Sequence, residues 1–184
     1  APHVCMKLLG AIVAGGAARR FGADKGAALL GGVALIDHVA RALAAQCDDV
    51  VIVGREWREL PCIADRPKGG EGPLGGLNAA LHHAATQGYD AVLCAGCDTL
   101  PVPHDLAARL GSGPAVVEGH WLMGLWPAAL AEDLDRWLGC QPDRSIRGWM
   151  RHSGAHMVPV EAHLHNINTR QALEEAESEF RPSR

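Results

Sequence analysis

The sequence has no excess of positive charge: 17 Lys and Arg stand against 21 Asp and Glu, a net charge of −4. Non-specific nucleic-acid binding usually needs a basic stripe, so that task is set aside. A polyanionic ligand must then be held by a local site rather than by a global field. No apolar stretch reaches the roughly 20 residues of a membrane span. Residues Ala1 to Lys7 lack the charged and apolar regions of a secretory signal. Met6 is a candidate original start, with Ala1 to Cys5 an added segment or an alternative start, and residues 1–6 are expected to lie outside the fold. Six cysteines at irregular spacing make no disulfide framework. The expectation is a cytoplasmic protein with neither nucleic acid nor membrane as partner. No internal repeat and no linker interrupts the chain.

What is present suits a single folded domain. With 184 residues, 48% apolar and 21% charged, one domain over 1–184 can bury a proper core, and disorder is not expected. Apolar runs alternate with helix-like stretches, the mark of an α/β protein. Strands are expected at Leu8 to Val13, Val50 to Val53, Asp90 to Ala95, Ala115 to Val117, His120 to Trp126 and His156 to Val160. Helical spacing covers Ala34 to Gln46, Leu77 to Thr86, Pro103 to Leu110, Ala128 to Leu138, Ser145 to His152 and Thr169 to Ser178. Short strands separated by single helices favour a largely parallel sheet covered on both faces.

The loop after the first strand carries the chemistry. Gly15, Gly16 and Gly22 lie between a buried strand and the first helix, together with Arg19, Arg20 and Lys25. Ligands of open parallel sheets bind outside the carboxyl ends of strands. Glycines there let backbone N–H groups approach a phosphate, and basic side chains neutralise its charge. A Walker loop needs Gly-Lys followed by Ser or Thr, whereas Lys25 lies between Asp24 and Gly26. The G-x-G-x-x-G spacing of a dinucleotide fold is absent as well.

The segment Val13-Ala14-Gly15-Gly16-Ala17-Ala18-Arg19-Arg20-Phe21-Gly22-Ala23-Asp24-Lys25 resembles the pattern L-A-G-G-x-x-x-R-[MF]-G-x-D-K. That pattern belongs to the nucleotidyltransferases related to molybdenum cofactor guanylyltransferase. Gly72-Pro73-Leu74-Gly75-Gly76-Leu77 is similar to the family's G-P-L-x-G-L segment, and Cys97-Asp98-Thr99 to its metal motif. Asn166-Ile167-Asn168-Thr169 matches its N-[IV]-N-[ST] element. The matches fall in family order and span almost the whole chain. The resemblance implies a single-domain three-layer α/β/α sandwich with a mixed, mostly parallel sheet of the nucleotide-diphospho-sugar transferase type. It implies Mg2+-dependent transfer of GMP from GTP to the phosphate of molybdopterin, with release of pyrophosphate. Proteins that mature molybdenum enzymes are candidate partners. One departure is Val53, at a strand end where relatives often place a polar residue against the nucleotide.

The candidate nucleotide site comprises Val13, Ala14, Gly15, Gly16, Lys25, Asp65, Gly75 and Asp98, with Arg20, Lys25 and Asp98 in catalytic roles. Asp98, at the end of an apolar run, suits Mg2+, which takes one or two carboxylates plus phosphates and waters; the alternative is a turn-forming aspartate bonded to its own backbone. Lys25 is a compact charge suited to the triphosphate. Asp65 falls near the nucleotide by resemblance, or is a simple turn residue before Arg66-Pro67. Asn166 and Asn168, two apart on an extended segment, suit the acceptor, a pterin edge or its phosphate, across from the glycine loop. The alternative is a polar pair capping the last helix, strongest for Asn168.

Other features are left aside. Cys94-Ala95-Gly96-Cys97 lacks the second pair that zinc would need, and strand-end cysteines are usually small buried groups. With ten histidines in the chain, the pairs His82-His83 and His163-x-His165 are expected by chance. Trp121, Trp126, Trp137 and Trp149 read as core or interface. Two competing functions remain: a cytidylyltransferase or sugar-phosphate nucleotidyltransferase, and a non-catalytic nucleotide-binding protein. CTP-using relatives tend to carry A-A-G where this chain has Ala14-Gly15-Gly16, and usually lack the G-P-L segment.

Overall fold

The structure, a computed structural model, describes residues 5–15, 24–69 and 72–180. Strand β1 (Leu8–Val13) is buried along its full length. After the glycine-rich segment comes a 3-10 turn, Lys25–Ala27, and a tight hairpin of β2 (Leu29–Leu30) and β3 (Val33–Ala34). Gly31 and Gly32 form its two-residue turn with φ of +59° and +79°, left-handed backbone that glycine adopts without strain. Helix α1 (Leu35–Ala44) leads to β4 (Asp49–Val53) and the short β5 (Cys62–Ile63). Helix α2 (Pro73–Gln87) returns the chain to β6 (Ala91–Gly96), followed by β7 (Thr99–Leu100), α3 (Leu106–Leu110), β8 (Ala115–Val117) and β9 (His120–Pro127). The rest comprises α4 (Ala131–Cys140), α5 (Ile146–Ser153), β10 (His156–Val158), β11 (His165–Asn166) and α6 (Arg170–Phe180).

Seven strands form the main sheet in the order β10-β8-β9-β6-β1-β4-β5. All run parallel except β9, which is antiparallel to both its neighbours. This is the mixed, mostly parallel three-layer sandwich expected from the sequence. Alternate residues of each strand enter opposite cores. Leu8, Ile12, Ile52, Leu93 and Leu125 meet α1 and α3 on one face. Leu9, Ala11, Val51, Val92 and Trp126 meet α2, α4 and α5 on the other. Burial on both faces is why these strands read as continuous apolar runs.

Two elements begin elsewhere than the sequence suggested. Helix α2 starts at Pro73, whose missing N–H costs nothing at the first helical position. The segment Gly75-Gly76 is therefore helix, not an entry turn. A Cβ on Gly76 would come within 2.8 Å of Val13 Cγ1, so the helix can lie this close to β1 only with glycine there. The stretch before α4 is a 3-10 turn, Ala128–Leu130. Among the described residues no helix is long and apolar enough to cross a membrane, and all six cysteines are free thiols.

Candidate active site

Strand order sets the place of the site. From β1 the chain moves outward to β4 and β5, then α2 carries it back to β6 on the other side of β1. The carboxyl ends of β1 and β6 therefore flank a switch in winding direction, where open α/β sheets form a crevice. A cleft of about 180 Å3 lies there, lined by Val13, Ala14, Gly15, Lys25, Pro73, Gly96, Cys97, Asp98 and Leu122. Leu122 reaches it because β9 runs antiparallel and begins at this end of the sheet.

Lys25 is only 6% exposed. Its ammonium donates to Asp98 Oδ2 at 3.2 Å and to Asn168 Oδ1 at 2.6 Å. A buried cation is costly unless such partners are in place. Asp98 remains 38% exposed toward the cleft, and its carboxylate bonds a side chain rather than its own turn. A Cβ on Gly96 would lie 2.9 Å from Asp98 Oδ1 and 3.0 Å from Leu122 Cδ2. The glycine that ends β6 thus makes room for the carboxylate.

Asp65 stands behind the cleft, where β1 and β4 end. Its oxygens lie 3.3 Å from a Cβ built on Gly15 and 3.2 Å from one built on Gly54. Burial pushes its carboxyl above the usual aspartate range, and no hydrogen-bond or ion-pair partner reaches it among the described residues. Val53 is fully buried, so its side chain faces the core and not a ligand.

The asparagines separate. Asn168 accepts from the Lys25 ammonium, so it stands with the lysine expected at the triphosphate and not opposite it. Asn166 accepts from Thr99 Oγ1 at 3.0 Å and lines an adjoining cleft of about 200 Å3 with Asp98, His120 and Trp121. Helix α6 is capped by Thr169, whose Oγ1 accepts from the Ala172 N–H at 3.1 Å, so Asn168 is free of that task. Gly75 lies buried in the first turn of α2, its carbonyl accepting from Arg66 N–H at 3.1 Å. It shapes the helix start, while Pro73 lines the cleft. Gly16 and Arg20 fall outside the described residues.

Sequence reasoning missed the clamp that anchors Lys25. Arg55 Nη1 and Nη2 donate to the two oxygens of Asp24 at 2.5 and 2.7 Å, which holds the Asp24 carboxyl below its ordinary range. The D-K pair of the motif hints at Asp24; nothing marks Arg55. The two cysteines of C-x-x-C prove unrelated. Cys94 faces the α2-side core, its thiol pushed up to about 12 by burial, whereas Cys97 packs toward the α1 side.

A buried lysine, a carboxylate and a glycine-lined strand end beside the winding switch suit a nucleotide's phosphates. Residues 10–159 match the model of the MobA-like NTP transferase domain. This chain belongs to that family. It is a nucleotidyltransferase. A molybdenum cofactor guanylyltransferase of Cereibacter sphaeroides is 39% identical, over 96% of this chain and 98% of its own. The crystal structure of molybdopterin-guanine dinucleotide biosynthesis protein A from Archaeoglobus fulgidus superposes with a TM-score of 0.74 at 24% identity, covering 92% of this chain and 97% of that one. A 4-diphosphocytidyl-2C-methyl-D-erythritol synthase shares the fold at a TM-score of 0.67 and 13% identity, covering 95% and 99% of the two chains. The fold is therefore shared by proteins of different names, and the MobA-like assignment rests on sequence.

Proposed function

We propose that the chain transfers the GMP part of GTP to the phosphate of molybdopterin, releasing pyrophosphate, in the cytoplasm and with Mg2+. The observation that carries this reading is the buried Lys25 ammonium, fixed between Asp98 and Asn168 at the mouth of the cleft. Names and coverage of the relatives supply the nucleotide and the acceptor.

In this reaction an acceptor phosphate oxygen attacks the α-phosphorus of GTP. The bond to the bridging oxygen breaks, and pyrophosphate leaves with the electron pair. Lys25 is placed to neutralise phosphate oxygens, and its fixed position means little reorganisation during the step. In this reading the glycine motif that begins at Gly15 supplies backbone N–H groups to phosphate, and Arg20 of the same motif a second cation. Asp98 fits Mg2+: one carboxylate, partly exposed, facing a cleft wide enough for phosphates and waters. Bound there, the metal would neutralise charge on the transferring phosphate. Asp65, an acceptor with no donor among the described residues, suits the adjacent N–H groups of guanine, which offer two parallel hydrogen bonds. Asn166 and the cleft beside His120 and Trp121 fall to the acceptor.

Pyrophosphate release from GTP and from CTP, with molybdopterin as acceptor, tests the reading. GTP should be the substrate. Asp98→Ala should lose roughly a hundredfold or more in kcat while metal-free GTP binding survives within a few-fold. Retention of more than about a tenth of the activity would place the metal elsewhere. Equal turnover of CTP would remove the guanylyl assignment.

A further inference from the structure

A second set of ligand-bearing side chains lies outside the cleft, where β11 meets α6. His163, His165 and Glu179 each offer one donor atom, and these atoms all lie within 4.8 Å of one another. They form the one such group of three among the described residues. His165 Nε2 stands 2.9 Å from Glu179 Oε2, and the His163 ring meets His165 edge-on with centroids 4.5 Å apart. Histidines two apart on an extended segment present their rings to one side. Glu179 reaches them from the last turn of α6.

We propose that these three residues bind a divalent transition ion of the Zn2+ class, at a site separate from the nucleotide cleft. Two imidazoles and a carboxylate are the donor set such ions prefer, whereas Mg2+ and Ca2+ select oxygen alone. Tetrahedral bonding at about 2.0–2.1 Å puts donor atoms roughly 3.3 Å apart. The His165–Glu179 pair is already close to that spacing. His163 is exposed, and with every donor atom within 4.8 Å of the others its ring has at most ~1.5 Å to move inward. The His165 side chain is 17% exposed and held in place, while Glu179 at 58% leaves one side open to water. A plain ion pair between His165 and Glu179 would need no second imidazole beside it.

The site borders the machinery already described. Residues 165–168 continue from it directly into the wall of the cleft: Asn166 meets Thr99, the Ile167 N–H donates to the Asp98 carbonyl at 2.6 Å, and Asn168 meets Lys25. An ion joining β11 to α6 would brace that wall from behind.

Titration of the chelator-stripped protein with Co2+, followed by visible absorption, tests the site, with Zn2+-dependent melting in parallel. One equivalent should give the bands of a low-coordinate cobalt site, and Zn2+ should raise the melting temperature. His163→Ala and Glu179→Gln should each weaken Co2+ at least about tenfold. The metal-free melting temperature of His163→Ala should match wild type. His83→Ala, which removes a histidine elsewhere, should bind as wild type does. Unchanged affinity in His163→Ala overturns the proposal. So does a thiolate-to-metal charge-transfer band, which would assign the ion to exposed cysteines.

Discussion

The rim of the sheet at the carboxyl ends of β1, β4 and β6 and the tryptophan layer on the α2 face follow opposite rules. At the rim, glycines bring backbones together and leave no room for a side chain: a Cβ on Gly54 would lie 2.8 Å from Gly15 Cα. The polar groups there include the buried Lys25 cation with its partner Asp98, and Asp65, a carboxylate without a described partner. In the other layer Trp126 and Trp149 are fully buried. Trp149 packs against Trp126 and Trp137 with ring centroids 6.2 and 6.3 Å apart. Burial of such rings is among the largest favourable contributions a core receives. One region supplies stability and the other consumes some of it to hold charge in place. Mutations in the two should therefore separate activity from stability.

The largest stability effect is expected in the tryptophan layer. Trp149→Ala should cost about 3–5 kcal/mol, from lost burial plus the cavity it leaves. The Trp149 indole N–H has no acceptor among the described residues, so Trp149→Phe loses area but no hydrogen bond and should cost much less. Urea denaturation of both variants gives the difference. The folded fraction of Trp149→Phe should retain wild-type kinetics. A loss of kcat at full folding would break the contrast, since it would tie this layer to the chemistry.

Gly54→Ala probes the rim itself. Gly54 has φ of +86°, which an alanine adopts only with strain, and its new methyl would press on the Gly15 backbone. The strain should cost about 1–3 kcal/mol. Because the pressure falls on the strand end beside the cleft, GTP affinity should fall more than the stability loss alone explains. Nucleotide titration and denaturation on one preparation compare the two. Wild-type GTP affinity in a destabilised Gly54→Ala would show that the rim can relax without moving the site.

The parts of this organisation that were legible are those with a local cause. Strand β1 has the bounds its apolar run suggested, because a strand buried on both faces has nowhere to place a polar residue. Helix α2 was misjudged at its start. Glycine usually signals a turn, and only the proximity of Val13 explains Gly76 inside a helix. The hairpin β2–β3 and the β7–β11 pair escaped notice since two-residue strands carry no measurable period. In the site, Lys25 and Asp98 stood out through their motifs. The contact of Lys25 with Asn168, 143 residues away, and the Asp24–Arg55 clamp were not legible. Such pairs are set by which loops the sheet gathers at one end.

The smallest effect sharpens the comparison most, because its sign is reversed. Burial raises the Asp65 carboxyl above the ordinary aspartate range. The folded protein then binds this proton more readily than the unfolded chain does. Linkage makes stability fall as pH climbs from the unfolded value through the folded one, and the penalty is fully present once pH exceeds the folded value. Asparagine is nearly the same size and never ionises. Asp65→Asn should therefore melt slightly higher than wild type at pH 7, with the gain vanishing below the unfolded value, near pH 4. If Asp65 reads the guanine edge, the same substitution should weaken GTP, because an amide replaces one of two acceptor oxygens with a donor. A protein that gains stability while losing its ligand is the signature of a group held against its own solvation for a purpose. Melting curves at pH 4 and pH 7, paired with GTP titration, measure both halves. An Asp65→Asn variant that melts lower at pH 7 would show that the carboxylate has a stabilising partner. One that melts higher yet binds GTP as before would move the base-reading role to another residue.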